Sequence, residues 1–508
     1  MNNSQSVLCF SKSSRYRKPQ VLDPEQAETL RTKFRKKIKN KRYRLIEKRE
    51  LFQNQSVCAL FHPENLQVLY FSEGLSRILP LFEEDSDFTG FQQIHDEIAL
   101  EVLSKANVDH GVQLSLYWLL LLKLLENGFL QDKQSRRAIS EYRQDQLPTN
   151  KLTSLVIIPS LDCNFSCNYC YYRGIPSSEK ARATLSIDKI RQGIDYYLAN
   201  NMLPKKFSRS LRLGGGEPLL FYELFKDTLE YTDEIRRREP DLAPFKIFMV
   251  TNASLIDDKW IQLIKKYKIG IGVSLDGKRS RNDIRRKSPK GSAFVKTTKG
   301  IEQLNRAGIR PSLVMTVSSH NIDNLSEDVG WLFDHFEFTD YSFNLDISFI
   351  EEYRVPPVEY TNAIFKAYDA LSYKGLFDSK VAKINADFQA QRLTAGRCGG
   401  IFNHMVLFPD GRIGPCPSIV DDKKEGMKIN EKQKFYDARL FKKWSAFDYT
   451  LNPICQKCNY FKLCEGYCPY SSMQTKGQMA VPNEYDCAYT KKRLEWLIWY
   501  DFEQLYEG

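Results

Sequence analysis

Three cysteines constrain this chain more than any other feature. The run Cys163-Asn-Phe-Ser-Cys167-Asn-Tyr-Cys170 sets them at CxxxCxxC spacing, which lets three thiolates hold three corners of a cubane iron–sulfur cluster. Clusters that only carry electrons take a complete set of cysteine ligands, so a set one short leaves an iron open to a small molecule and implies chemistry. Two plainer readings compete: a zinc knob, or three cysteines that fall together in a core. Structural zinc needs a fourth ligand, and no histidine lies near the run.

Downstream, Leu213-Gly214-Gly215-Gly216-Glu217-Pro218 reads as a strand entering a glycine-rich turn. Missing side chains there let a ligand approach the backbone, and a carboxylate can hold an ammonium. Apolar, β-branched runs at 155–159, 210–213, 246–250, 269–275, 312–317 and 341–347 alternate with longer amphipathic ones, which predicts six strands of a parallel β/α sheet. The near-continuous apolar run 245–250 fits a strand buried on both faces. Active sites of such sheets gather at the carboxyl ends of the strands. Thr251-Asn252, Ser274-Leu275-Asp276-Gly277 and Ser318-Ser319-His320-Asn321 fall at those ends.

Together these motifs resemble the radical S-adenosylmethionine (SAM) enzymes, and Cys-Asn-Tyr-Cys-Tyr-Tyr through Tyr172 is similar to their peptide-modifying branch. The resemblance implies a partial (β/α)6 TIM-type barrel and a SAM-binding 4Fe-4S cluster on Cys163, Cys167 and Cys170. It implies that Glu217, with the backbone of Gly215 and Gly216, receives the SAM amino group. Asn252 and Ser274 would hold its ribose or carboxylate, and Tyr169 would border its adenine. Many relatives follow Ser-Leu-Asp-Gly with His-Asp-x-x-Arg. Here Asn282-Asp283-Ile284-Arg285-Arg286 stands instead, so Arg286 is the implied carboxylate clamp and the histidine's role has no bearer. The alternative places Arg285 and Arg286 in a solvated basic loop, since 278–290 is rich in Arg and Lys.

A second constellation comprises Cys398, Gly411 with Cys416, then Cys455, Cys458, Cys464, Cys468 and Cys487. Alone, the CxxC pair followed by CxxxC would suggest zinc. Behind the triad the spacing resembles the SPASM domain, which implies two auxiliary 4Fe-4S clusters. Eight thiolates would complete both and seven are present. The family pattern assigns Cys455, Cys458, Cys464 and Cys487 to one cluster, leaving Cys398, Cys416 and Cys468 for another with an open iron or a non-cysteine ligand. That iron could meet a substrate thiolate, which metal coordination deprotonates; an Asp, a Glu or water is the alternative. In sulfatase-maturing relatives an Asp follows the second cysteine of this domain as a base, whereas Pro417 follows Cys416.

Before residue 150, runs 57–61 and 67–71 flank the turn-rich His62-Pro63-Glu64-Asn65 and predict a β-hairpin, with helices over 73–81, 90–103 and 113–125. Strand pair then three helices resembles the PqqD-like winged-helix recognition element fused to maturases of ribosomally made peptides. The run Leu69-Tyr70-Phe71-Ser72-Glu73-Gly74-Leu75-Ser76-Arg77-Ile78-Leu79 and the closing Leu124-Leu125-Glu126-Asn127-Gly128-Phe129-Leu130 carry that resemblance. Such elements add a leader peptide as a strand to an exposed sheet edge. A helical packing domain without ligand is the plain alternative.

The net charge of +11 concentrates in residues 31–49. Such a run is first a solvated segment, second an electrostatic hold on an acidic leader, and third a nucleic-acid contact, disfavoured because no base-reading helix stands out. The apolar stretch 116–125 is too short to span a bilayer, and residues 1–20 lack the apolar centre of a signal peptide. Ten of the twelve cysteines are assigned as ligands, leaving Cys9 and Cys58, which fits the cytoplasm. The expected organisation is a basic segment 1–50, a recognition element 51–135, a linker 136–152, the barrel 153–370, a bridge 371–397 and the SPASM unit 398–508. Residues 490–506 should form a packed helix.

The implied activity is radical SAM modification of a ribosomal precursor peptide, forming a thioether or carbon–carbon crosslink through a 5'-deoxyadenosyl radical. A flavodoxin or ferredoxin would donate electrons. The alternatives are other protein modifications (sulfatase-type oxidation, epimerisation, backbone excision) and a non-catalytic Fe-S regulator. The catalytic acid or base is not assigned by the sequence.

Overall fold

The computed structural model describes residues 9–11, 26–38, 42–45, 49–54, 57–63, 67–82, 86–87, 110–131, 152–170, 172, 184–201, 203–348, 350–372, 374–376, 398–420, 426–429, 439–461, 463–464 and 466–507. The first elements are β1 (Cys9–Ser11), α1 (Ala27–Ile38), β2 (Arg42–Leu45), β3 (Glu50–Asn54), β4 (Val57–His62), β5 (Gln67–Ser72), α2 (Glu73–Ser76), β6 (Ser86–Asp87), α3 (His110–Glu126) and β7 (Leu130–Gln131). The predicted hairpin forms, with Val57 opposite Ser72 and His62 opposite Gln67, inside a four-stranded sheet of order β1-β5-β4-β3. A smaller sheet runs β6-β2-β7.

Helix α3 covers the predicted 113–125. The predicted 73–81 yields only α2 and a 3-10 turn at Leu79–Phe82. Pro80 explains the break, because its ring cannot donate to the carbonyl of Ser76 and would clash with it. The predicted helix 90–103 lies outside the described residues.

The alternation along β4 and β5 buries both faces of their sheet. Cys58, Leu60, Leu69 and Phe71 pack with Phe34 and the leucines of α3. Ala59, Phe61, Val68 and Tyr70 join the main core instead.

All six predicted strands of the larger sheet form: β8 (Ser154–Ile157), β9 (Ser210–Leu213), β10 (Lys246–Thr251), β11 (Gly270–Ser274), β12 (Ser312–Val317) and β13 (Tyr341–Leu345). They are mutually parallel neighbours in sequence order. Between them run α4 (Ile187–Ala199), α5 (Tyr222–Arg238), α6 (Asp258–Tyr267), α7 (Arg279–Arg285), α8 (Ala293–Arg306) and α9 (Leu325–His335). Side chains of Ser186, Asp257 and Ser292 cap three of these helices by accepting from the amides of Lys189, Trp260 and Val295. A seventh parallel strand, β14 (His404–Leu407), pairs with β8 and leads into antiparallel β15 (Arg412–Gly414) and β16 (Met427–Lys428). One nine-stranded sheet therefore carries the triad loop and the segment from Cys398 to Cys416.

One face of this sheet is covered. Ile247, Met249, Ile271, Val273, Leu313 and Met315 share a core with Ile194, Phe225, Leu263, Ile301 and Leu332 from the helices. The other face is covered at β8 and β14, where Val156 and Val406 pack with Ile419 and Trp444, but open at β10, which corrects the two-sided burial predicted there: Phe248 and Val250 are 44% and 53% exposed. In register beside them stand Arg212, Gly270 and Gly272, and a Cβ at Gly272 would meet Val314 at 3.2 Å and Val250 at 3.4 Å. Helices on one side and a hollow on the other are what a barrel wall requires.

After α10 (Pro357–Ser372) and the Cys-rich loops, the last helix α11 (Glu484–Glu507) begins earlier than predicted and includes Cys487. It packs on α10 through Tyr489 and Trp496 against Phe365. It also meets β5, where the Tyr70 hydroxyl donates to the Ile498 carbonyl at 2.8 Å. Among the described residues no helix is long and apolar enough to cross a membrane.

Candidate functional site

The loop after β8 carries Cys163, Cys167 and Cys170 to the carboxyl end of the sheet, and two neighbouring segments fix its path. On one side Ser166 N donates to Lys287 O at 2.8 Å and Asn168 N to Arg285 O at 3.0 Å. On the other, Gly216 N donates to Ser160 O at 3.1 Å and Glu217 N to Asp162 O at 2.8 Å. Contact this close explains the glycines. Gly215 has φ +120°, and a Cβ there would stand 2.5 Å from Ser160 O; at Gly216 it would stand 2.1 Å from Asp162 O. The space made by the absent side chains is filled by the backbone of the cysteine loop.

Glu217 is 1% exposed. Its carboxylate accepts from the Thr251 hydroxyl, Asn252 N at 2.9 Å and Leu219 N at 3.1 Å. Burial pushes its pKa up, and those hydrogen bonds pull it back. Asn252 extends the mesh, donating from Nδ2 to Asn164 Oδ1 at 2.8 Å beside Cys163 and accepting from Ser254. Ser274 ends β11 half-buried on the open face.

Across the site, Arg286 Nη1 donates to the Tyr169 hydroxyl, which donates to Asp276 Oδ2 at 2.6 Å. Burial raises the pKa of Tyr169 well above its ordinary value, which keeps it a neutral donor. The solvated-loop alternative for the two arginines is overturned, since Arg285 is 0% and Arg286 7% exposed. Arg285 donates to Asn168 Oδ1, Ser318 Oγ and Asp346, with its guanidinium 3.9 Å from the Tyr353 ring centroid. It holds the cysteine loop. Burial raises the Cys167 pKa and the nearby Arg286 cation opposes that rise, while Arg286 Nε is buried without a partner. An orphan cationic donor of that kind fits an incoming carboxylate.

Sequence reasoning placed Asp276 and His320 at strand ends without giving either a role, and it passed over Arg212. Asp276 is fully buried and joins elements, accepting from Tyr169 and Thr316 N while its backbone bonds Asn282 and Asn321; a charged residue inside Ser-Leu-Asp-Gly was the available signal. His320 lies three residues beyond β12, with Nδ1 2.8 Å from Ser318 Oγ and Nε2 unpartnered. Burial drives its pKa down to about 4, so the imidazole is neutral. Arg212 stands on the open face in register with Phe248, and no sequence signal marked it.

The remaining thiols form two groups. Burial raises the Cys398 pKa, and the charges of Cys468 and Cys416 raise it further. Cys455, pushed up to about 12 by burial, is coupled to Cys464, Cys487 and Cys458. In the triad, burial holds Cys163 at about 12, with Glu217, Cys167 and Cys170 contributing. Among the described residues no three His, Cys, Asp or Glu converge on a single metal ion. Thiols near enough to feel one another yet not aimed at one atom fit the corners of an iron–sulfur cluster, which replaces the proton on each.

Residues 157–331 match the Radical SAM superfamily. The chain is 23% identical over 338 residues to a cysteine-type anaerobic sulfatase-maturating enzyme of Clostridium perfringens, covering 62% of this chain and 88% of that one. It is also 23% identical over 351 residues to a serine-type enzyme of Bacteroides thetaiotaomicron, covering 60% and 80%. Among solved structures, native anSMEcpe with bound AdoMet superposes with TM-score 0.59 at 19% identity, covering 70% of this chain and all of that one. Streptococcus suis SuiB bound to S-adenosylmethionine gives TM-score 0.50 at 16% identity over 87% and 99%. These structures share the fold of the parallel sheet and its helices.

Proposed function

We propose, for an enzyme that carries a radical SAM domain over residues 157–331, that it modifies a ribosomally made precursor peptide by crosslinking its side chains. The observation that carries this reading is that cysteine-bearing segments follow β8 and β15 of one sheet, while α11, which carries Cys487, is fastened to the separate four-stranded sheet. Electron-transfer chemistry at the open face and a place to hold a peptide are the two parts that such a reaction needs.

Cys163, Cys167 and Cys170 would hold the first 4Fe-4S cluster, with SAM on its free iron. Bound there, the pair supplies one-electron cleavage of SAM and removal of a hydrogen atom from the substrate. The chain's own contribution is positional. Arg286 offers Nε to the SAM carboxylate, Tyr169 and Asp276 fix that guanidinium, and Glu217 with Asn252 anchors the cysteine loop. Closing a ring then takes one electron and one proton from the peptide. The groups Cys455/Cys458/Cys464/Cys487 and Cys398/Cys416/Cys468 would hold auxiliary clusters as acceptors for the electron. His320 would take the proton at Nε2, in the tautomer that donates from Nδ1 to Ser318 Oγ. A flavodoxin or ferredoxin would supply the initiating electron.

A second reading is favoured by the sulfatase-maturating relatives, which match across most of their length: oxidation of a single Cys or Ser to an aldehyde. Pro417 after Cys416 weighs against it, because the base found there in that group is missing.

The test is anaerobic co-expression with a short peptide encoded beside the gene, followed by tandem mass spectrometry. Loss of two hydrogen atoms per ring, with no fragmentation between the joined residues, supports crosslinking. A product captured by a hydrazide reagent supports the aldehyde, and an unmodified peptide counts against both.

A further inference from the structure

With both faces of β4 and β5 packed, an extended peptide can reach these strands only along a sheet edge, where unpaired amides and carbonyls template another strand. The β3 edge is anchored to the Cys-rich region: Asn459 Nδ2 donates to Glu50 Oε1 at 2.7 Å. The β5 edge is occupied from within the chain. There β1 lies antiparallel, with Cys9 opposite Phe71, Phe10 opposite Tyr70 and Ser11 opposite Leu69, and it also borders α3.

We propose that residues 9–11 are an intramolecular cap on the peptide-docking edge: an extended segment of the substrate adds antiparallel to β5, alongside α3, by displacing the chain's own β1. The proposal rests on the peptide-modifying reading above.

Three physical points support the exchange. The outward backbone groups of residues 69–71 cannot pair with two strands at once. The cap is also short: it engages three of the six residues of β5, leaving Gln67, Val68 and Ser72 outside the paired register. A substrate segment running the length of β5 makes more ladder contacts than the cap, whereas one matching only residues 69–71 gains nothing over it. Finally, a tethered strand competes at an effective concentration in the millimolar range, and the apparent affinity of any peptide is lowered by the fraction of edges already capped. The cap thus selects for length. The neighbouring α1, packed along α3, carries Arg31, Lys33, Arg35, Lys36 and Lys37, so the peptide favoured here is extended and acidic.

The experiment uses a fluorescein-labelled synthetic peptide of this chain's own residues 5–15. It is titrated by fluorescence anisotropy into the full chain, into a variant lacking residues 1–11, and into full-length Phe10→Pro, because proline is poorly tolerated in a paired strand. Both variants should bind the peptide at least about ten-fold tighter than the wild type. Hydrogen exchange should report faster exchange in both variants at whichever amides of residues 69–71 face β1, reprotected by added peptide. Equal affinity for all three chains, or no binding to either variant, overturns the cap. If circular dichroism shows the truncated chain unfolded, Phe10→Pro decides the outcome by the same criterion. Because the readout needs neither SAM nor substrate, a cap that behaves this way in a protein that modifies no peptide would count against the proposed function and leave the cap standing.

Discussion

Arg286 is the residue on which structure and chemistry meet most directly. Replacing it with Gln should leave the iron content and visible absorbance unchanged while SAM cleavage under reduction falls at least about ten-fold, since a charge-assisted bond to a carboxylate is lost. A purely structural role would instead lower the denaturation midpoint and leave cleavage by the folded fraction intact. Gly216→Ala should act earlier in assembly. Its methyl would collide with the backbone of residues 161–162, displacing the loop that carries the triad, so iron per reconstituted chain should fall by about a third if each of three sites holds one 4Fe-4S cluster. His320 gives a pH signature. Its pKa falls from 6.5 to about 4 on burial, so between these values the unfolded chain binds a proton that the folded one refuses. The stability due to this histidine is complete above 6.5, erodes as the pH falls, and is gone below about 4. Urea titrations of His320→Gln across this window should show a flatter profile than the wild type. At this scale the sequence was legible wherever a motif names its residues, as with the cysteines and glycines. It was opaque where a role depends on distant partners: Arg285 and Arg286 look alike in a basic run, yet one reaches Asn168, Ser318 and Asp346 and the other Tyr169.

Among the elements, the strands of the larger sheet could be read from their apolar runs, but the fate of their faces could not. The apolar run ending β10 looks the same whether the side opposite the helices meets more helices or a hollow, and the hollow won. Helix α2 stops early because of Pro80, a local signal that the amphipathic pattern obscured. The junction of β5 with α11 was not legible, as it joins residues more than four hundred positions apart. Removing one hydroxyl there, with Tyr70→Phe, should cost about 1 kcal/mol in chemical denaturation. Truncation to Ala should cost roughly 3–5 kcal/mol by emptying a packed aromatic site, Tyr70 being fully buried beside Phe502.

For the whole molecule, β14 is the decisive addition. A parallel partner for β8 drawn from beyond residue 400 joins the triad loop and the segment from Cys398 to Cys416 to one sheet, and nothing in its four residues announces such a long-range pairing. The hollow beside this sheet has a consequence for how the protein lives before it is loaded. Phe248 and Val250 present apolar surface to that hollow, surface that monomeric proteins seldom leave in a contiguous patch. A hydrophobic dye such as ANS should therefore brighten with the apoprotein and dim once clusters, SAM and peptide occupy the space. The newly made chain is then at its most adhesive, and most exposed to aggregation, in the interval between folding and loading.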